Sequence, residues 1–147
     1  MAEKVLVGAE LTPQMIDAGK ALTELLDAES FDVRAALWLF LSDTREWRLV
    51  FASPEVAKAG PIAFYHKLQS VLPKLTAWRI SLSNITALPD TADSIQLFAS
   101  FINTGQQGTS GMRMTNNIVN GVLIDDAYIY RVAPTRSTGK ARVAKPR

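Results

Sequence analysis

Few side chains in this 147-residue sequence suit chemistry, and their spacing narrows what chemistry that can be. Asp125 and Asp126 are adjacent, and two carboxylates share one cation only where the backbone turns both toward it. On a regular strand neighbouring side chains point to opposite faces, so a bulge or turn would have to break the pleat. Acids stand two residues before arginine in Asp32-Val33-Arg34, Asp43-Thr44-Arg45 and Glu46-Trp47-Arg48. None stands two residues before a lysine, so the carboxylate-lysine spacing of many metal-dependent nucleases is absent. The expectation is a protein with no metal and no other cofactor.

Nucleophilic chemistry finds little support. The single histidine, His66, falls opposite the apolar stripe of its helix, beside Ala63, Lys67 and Ser70, where a solvated side chain belongs. Ser110 lies in Gly108-Thr109-Ser110-Gly111, which is not the G-x-S-x-G spacing of a nucleophile elbow. Glycines 105, 108 and 111 suggest a phosphate cradle, but this loop follows a helix and precedes a strand. Phosphate loops run the other way, because the anion sits at the N-terminus of the helix they open. With no cysteine in the chain, disulfides, thiolate metal sites and a cysteine nucleophile are excluded. The balance leans away from an enzyme.

Binding chemistry is better represented. On a regular final strand Asp126, Tyr128 and Tyr130 share one side and Asp125, Ile129 and Arg131 the other, with Arg113, Asn116 and Asn117 contributed by the partner strand. Two readings stand for this hairpin. Either the tyrosines cap the rim of the core with their hydroxyls in water, or Asp125, Asp126, Tyr128, Tyr130 and Arg113 contact a ligand or protein partner.

Charge is segregated. The chain holds 16 Lys and Arg against 14 Asp and Glu; residues 133–147 carry five of the bases and no acid, leaving the rest at a formal −3. Arg136, Lys140, Arg142, Lys145 and Arg147 are spaced by Pro, Ser, Thr and Gly, a composition that buries too little apolar area to order itself. This tail is either a solvated terminus or a contact for nucleic acid or another polyanion. No aromatic residue interleaves its bases, so such contact would be independent of base sequence.

These residues need a frame to position them. At 48% hydrophobic residues the chain suits one compact domain, and a chain of about 150 residues buries roughly 70% of its unfolded surface. Val5 to Val7 is too short for the core of a signal peptide, and no run approaches the roughly 20 apolar residues of a membrane span, so we expect a cytoplasmic protein without membrane contact. Thr12 and Pro13 open a helix to about Ala28, with Met15, Ala18, Leu22, Leu25 and Leu26 on one stripe. Val33 to Leu41 and Trp47 to Ser53 form a hairpin. Placing Leu41 opposite Arg48 puts Trp38, Phe40, Trp47, Leu49 and Phe51 on one face and Val33, Ala35, Leu37, Leu39, Leu41 and Val50 on the other. Both faces are apolar, which predicts central strands covered by helices or by a second subunit.

A second helix starts at Gly60-Pro61, Trp78 to Leu88 reads as a strand, and Asp90 or Thr91 caps a third helix expected to be the most buried. The Asn120-Gly121 pair marks a closing hairpin, with Asp125-Asp126 as a competing turn. The order α-ββ-α-β-α-ββ predicts an α+β fold: a mixed sheet of about five strands with three helices, residues 1–132 forming the domain and 133–147 the tail. The functional expectation is a small interaction module, self-associating through an apolar sheet face or helix, with a tail that contacts nucleic acid. The alternatives are a small-molecule-binding domain or enzyme with a pocket between the 105–111 loop and the 125–130 hairpin, and a structural subunit of a larger assembly.

Overall fold

A computed structural model describes residues 10–75, 80–99, 111–119 and 122–133. Of the basic segment 133–147 expected to reach a polyanion, all but Ala133 lies outside the described residues, as do glycines 105 and 108. The elements run α1 (Pro13–Ala28), β1 (Ala35–Leu41), β2 (Glu46–Ala52), α2 (Pro54–Ala59), α3 (Pro61–Val71), β3 (Ile85–Leu88), α4 (Asp93–Ala99), β4 (Met112–Val119) and β5 (Val122–Val132). The strands form one mixed sheet in the order β3-β2-β1-β5-β4. Its pairs are antiparallel except for β2 with β3, which run parallel as a helical crossover allows. The α+β class and the five-stranded mixed sheet are those the sequence pattern implies.

Each face of the sheet packs into its own core. Trp38, Trp47, Leu49 and Phe51 meet Met15, Ala18, Leu22 and Leu26 of α1 and Phe64 and Leu68 of α3 on one side. Ala35, Leu37, Val50, Ala127, Ile129 and Val132 meet Ile95 and Phe98 of α4 on the other. The hairpin register differs from the expected one: Leu41 faces Glu46, and Leu39 faces Arg48. Residues 42–45 close the turn, with Arg45 at a φ of 57°. The slip is two residues, which returns every side chain to its expected face. Val33 is the exception, since it precedes the strand and packs with the α1 side.

Three local features depart from the pattern. Ser53 and Pro54 open the extra helix α2, with the Ser53 hydroxyl accepting from the Glu55 N–H at 3.1 Å, so the α-helices among the described residues number four. Of the expected strand Trp78 to Leu88, Trp78 and Arg79 lie outside the described residues and the described strand is Ile85–Leu88, because Ser81 and Asn84 close a capping box around a short 3-10 turn at Leu82–Asn84. Their side chains satisfy backbone groups locally that a strand would otherwise pair across the sheet. Helix α4 begins at Asp93, later than Asp90 or Thr91 would place it. Over its described residues it buries Ile95 and Phe98, and Phe101 and Ile102 of the expected apolar arc lie outside the described residues.

The most consequential irregularity is in β5. Ala36 faces Arg131 but Leu37 faces Ile129, leaving Tyr130 as the extra residue of a β-bulge. Regular alternation would send Arg131 to the side of Ile129. The bulge instead brings Tyr130 and Arg131 both to α1, where the Tyr130 hydroxyl donates to the Ile16 carbonyl at 2.6 Å and Arg131 binds the Asp27 carboxylate. Arg131 is 1% exposed and also donates to the Val33 carbonyl at 3.0 Å.

Burial pushes the Tyr130 pKa well above the usual tyrosine range. The unfolded chain releases this proton near pH 10 while the folded chain retains it, so stability is fully present below about pH 10 and falls as pH rises beyond it. Tyr130→Phe should cost about 1 kcal/mol at pH 7 through the lost hydrogen bond. It should also flatten the alkaline decline, as read by urea unfolding at pH 7 and pH 10.5. An alkaline slope equal to wild type would show that another group sets it.

Candidate functional site

The closing hairpin assembles part of the residue set expected to make contacts. Strands β4 and β5 keep one register from Met112 opposite Ile129 to Val119 opposite Val122. Asp125-Asp126 therefore lies within a strand and is not a turn, and the two carboxylates alternate instead of converging on one point. Among the described residues no group of three His, Cys, Asp or Glu side chains is placed to hold a metal ion.

Asp126 meets Arg113 in a two-pronged ion pair, Nε to Oδ1 at 2.6 Å and Nη2 to Oδ2 at 2.7 Å. The fork geometry of guanidinium and carboxylate explains this arrangement, and hydrogen bonding to Asp126 raises the Arg113 pKa above its ordinary value. The Arg113 guanidinium carbon also lies 5.7 Å from the Trp47 ring centroid, so the side chain runs back over the sheet toward β2. Phe40 packs against Trp47 with centroids 5.4 Å apart. Tyr128 and Tyr130 stand edge to face with centroids 5.3 Å apart.

Of the five residues singled out on this hairpin, Arg113, Asp126 and Tyr128 thus line one half-exposed rim. Tyr130 is drawn beneath α1 and is 2% exposed, which places its hydroxyl inside the fold. Asp125 is half-buried in the strand beside that rim. The ion pair is mutually neutralising, so the rim offers aromatic surface and hydrogen-bonding tips more than net charge. The last residue of the glycine loop, Gly111, is described, has a φ of 87°, and lies against Tyr128. A Cβ there would come within 3.1 Å of Tyr128 Cζ, so only glycine lets the chain enter β4 this close to the ring. His66 is exposed on α3, as its position on the helical wheel implies.

Sequence reasoning missed two polar features. One is the buried Arg131–Asp27 pair, hidden by the bulge. The other is Tyr65, whose hydroxyl accepts from the Ala87 N–H at 2.9 Å and lies 3.4 Å from the Ile85 carbonyl. Arg48 adds donors to Ser83 and Ile85 carbonyls at 2.8 and 2.9 Å and to the Thr86 hydroxyl at 2.7 Å. Together they occupy the backbone groups of short strand β3, at one edge of the sheet. A tyrosine on a helical stripe gives no sign in sequence that it serves a strand edge.

Known proteins add no guidance: no family model matches the chain, and no curated protein or solved structure matches it. No helix among the described residues is long and apolar enough to cross a membrane.

Proposed function

We propose that this protein is a small interaction module, an acidic α+β body whose basic segment contacts a polyanion such as nucleic acid and whose body associates with further protein. The single observation that carries the polyanion reading is the distribution of charge between body and segment. In the body, Arg34, Lys67, Lys74, Arg113 and Arg131 are bound to Asp32, Glu55, Glu29, Asp126 and Asp27 at 2.5–2.9 Å. Those cations are committed to the fold. Residues 133–147 hold five bases without one acid among them. A polyanion approaching a body of net negative charge is therefore drawn to that segment.

Both sheet faces, the surfaces on which the sequence suggested a second subunit, are filled by the chain's own helices, with Trp38 and Leu37 at 0% exposure. Association by the body has to use another surface.

The test is a titration of fluorescently labelled duplex DNA with the full chain across a salt series. Five phosphate contacts set a limiting slope of log K against log salt of about −4.5. A measurable slope up to that limit, abolished by deleting residues 133–147 with the circular dichroism spectrum intact, is the expected result. Binding that survives the deletion with its slope unchanged would falsify the role of the segment.

A further inference from the structure

Strand β3 stands at one end of the sheet order, and its composition invites another strand. Ile85–Leu88 (ITAL) has no charge and no proline, the features with which proteins ordinarily blunt such an edge.

The backbone of β3 divides between two sides. In a parallel pair, alternate residues direct both their N–H and C=O groups to the same neighbour. The Ser53 N–H donates to the Leu88 carbonyl at 3.0 Å, which turns Leu88, and with it Thr86, toward β2. Ile85 and Ala87 therefore direct four backbone groups outward, and these are the groups an added strand would use.

Three of the four are taken within the chain. The Ile85 N–H donates to the Leu82 carbonyl at the end of the 3-10 turn. The Ile85 carbonyl accepts from Arg48 Nη2 at 2.9 Å. The Ala87 N–H donates to the Tyr65 hydroxyl at 2.9 Å, and the same hydroxyl points to the Ile85 carbonyl at 3.4 Å. In a parallel neighbour one residue would do both things, donating to residue 85 and accepting from residue 87. The Tyr65 hydroxyl stands where that residue's backbone would be.

Helix α3 holds it there. Phe64 and Leu68 are buried in the same core as Ile85 and Ala87, which fixes the helix on the β3 side of the sheet and leaves Tyr65 half-buried beside them. Packing alone would be served as well by phenylalanine; only the hydroxyl reaches the strand.

We propose that Tyr65, seconded by Arg48, is an edge guard: it occupies the place of a sixth strand and keeps β3 from pairing with a strand of a second copy. This goes beyond the association reading above, because it names an edge that the fold closes to partners instead of one that it offers.

The test is a full-length double variant, Tyr65→Ala with Arg48→Gln, compared with wild type by light scattering and sedimentation across a concentration series. It should form species heavier than any that wild type forms at the same concentration, while still melting cooperatively. The readout is mass gained over wild type, so it is decided separately from whether wild type itself associates. A cooperatively melting double variant with the wild-type mass throughout overturns the guard. Tyr65→Phe keeps the ring and decides the matter should the double variant fail to fold. Its Ala87 amide should exchange hydrogen roughly tenfold faster while that of Leu88, which faces β2, holds, and it should gain mass at a lower concentration than wild type. Unchanged exchange overturns the placement of the hydroxyl, and faster exchange without added mass reduces Tyr65 to a local hydrogen bond and overturns the guard.

Discussion

Asp27→Ala should lower stability by about 3 kcal/mol and the melting temperature by roughly 10 °C, although Asp27 itself sits near the surface. The reason lies with its partner. Asp27 keeps 41% of its side chain exposed, but Arg131 keeps only 2%, and their contact is 2.6 Å. Removing the carboxylate takes the ion-pair partner from a guanidinium in the interior, which also donates to the neutral Val33 carbonyl at 3.0 Å. A buried pair broken from one side costs about 3–5 kcal/mol, and the hydration available at the Asp27 end sets the lower part of that range.

The double variant Asp27→Ala with Arg131→Met should recover most of the loss, because the buried guanidinium is removed together with its carboxylate and methionine fills much of the same volume. Urea unfolding of the wild type, both single variants and the double variant closes the thermodynamic cycle. Additive losses in the double variant would mean that the two side chains act independently.

The second large effect concerns Gly19, in the interior of α1. On propensity alone Gly19→Ala gains about 1 kcal/mol in a helix. Here the added Cβ would lie 2.7 Å from Trp38 Nε1 and 2.9 Å from Tyr130 Cε2. Neither group can yield easily. The Trp38 indole donates to the Met15 carbonyl at 3.0 Å and the Tyr130 hydroxyl to the Ile16 carbonyl at 2.6 Å, both on the turn of α1 just before Gly19.

Helix and sheet would therefore have to separate, stretching both hydrogen bonds and opening the core around Trp38. Overpacking of this kind costs about 1–3 kcal/mol, and with two bonded aromatic groups in the way we expect a net loss of about 2 kcal/mol. A melting temperature equal to or above that of wild type would show that α1 shifts freely, contrary to its anchoring.

How far the sequence foretold this structure depends on which residues are considered. Trp38 and Phe40 against Leu37 and Leu39 revealed two apolar faces, because strand alternation is a property of the backbone and survives a register error of two residues. Thr12-Pro13 announced α1 through a cap that the structure contains, with the Thr12 hydroxyl 3.2 Å from the Met15 N–H. The same signature at Ser53-Pro54 was overlooked because six residues carry too little periodicity to read as a helix.

The candidate site was half legible. Arg113, Asp126 and Tyr128 were placed together by simple alternation, which holds up to Ile129. Tyr130 and Arg131 were misassigned because a bulge leaves no mark in composition: the run from Tyr128 to Val132 looks like an ordinary strand. What decides it is tertiary, the carboxylate of Asp27 waiting 104 positions earlier in the chain.

That separation sets a schedule for synthesis. Helix α1 is fastened by residues made 114 and 104 positions later, through Tyr130 to Ile16 and Arg131 to Asp27. Until residue 131 has cleared the ribosome, α1 has neither clasp and β1 lacks its neighbour β5, so the nascent chain holds an amphipathic helix with no finished sheet to receive it. Long-range closure of this kind slows folding relative to local pairing. The same bulge that orients two side chains thus makes α1 wait for β5.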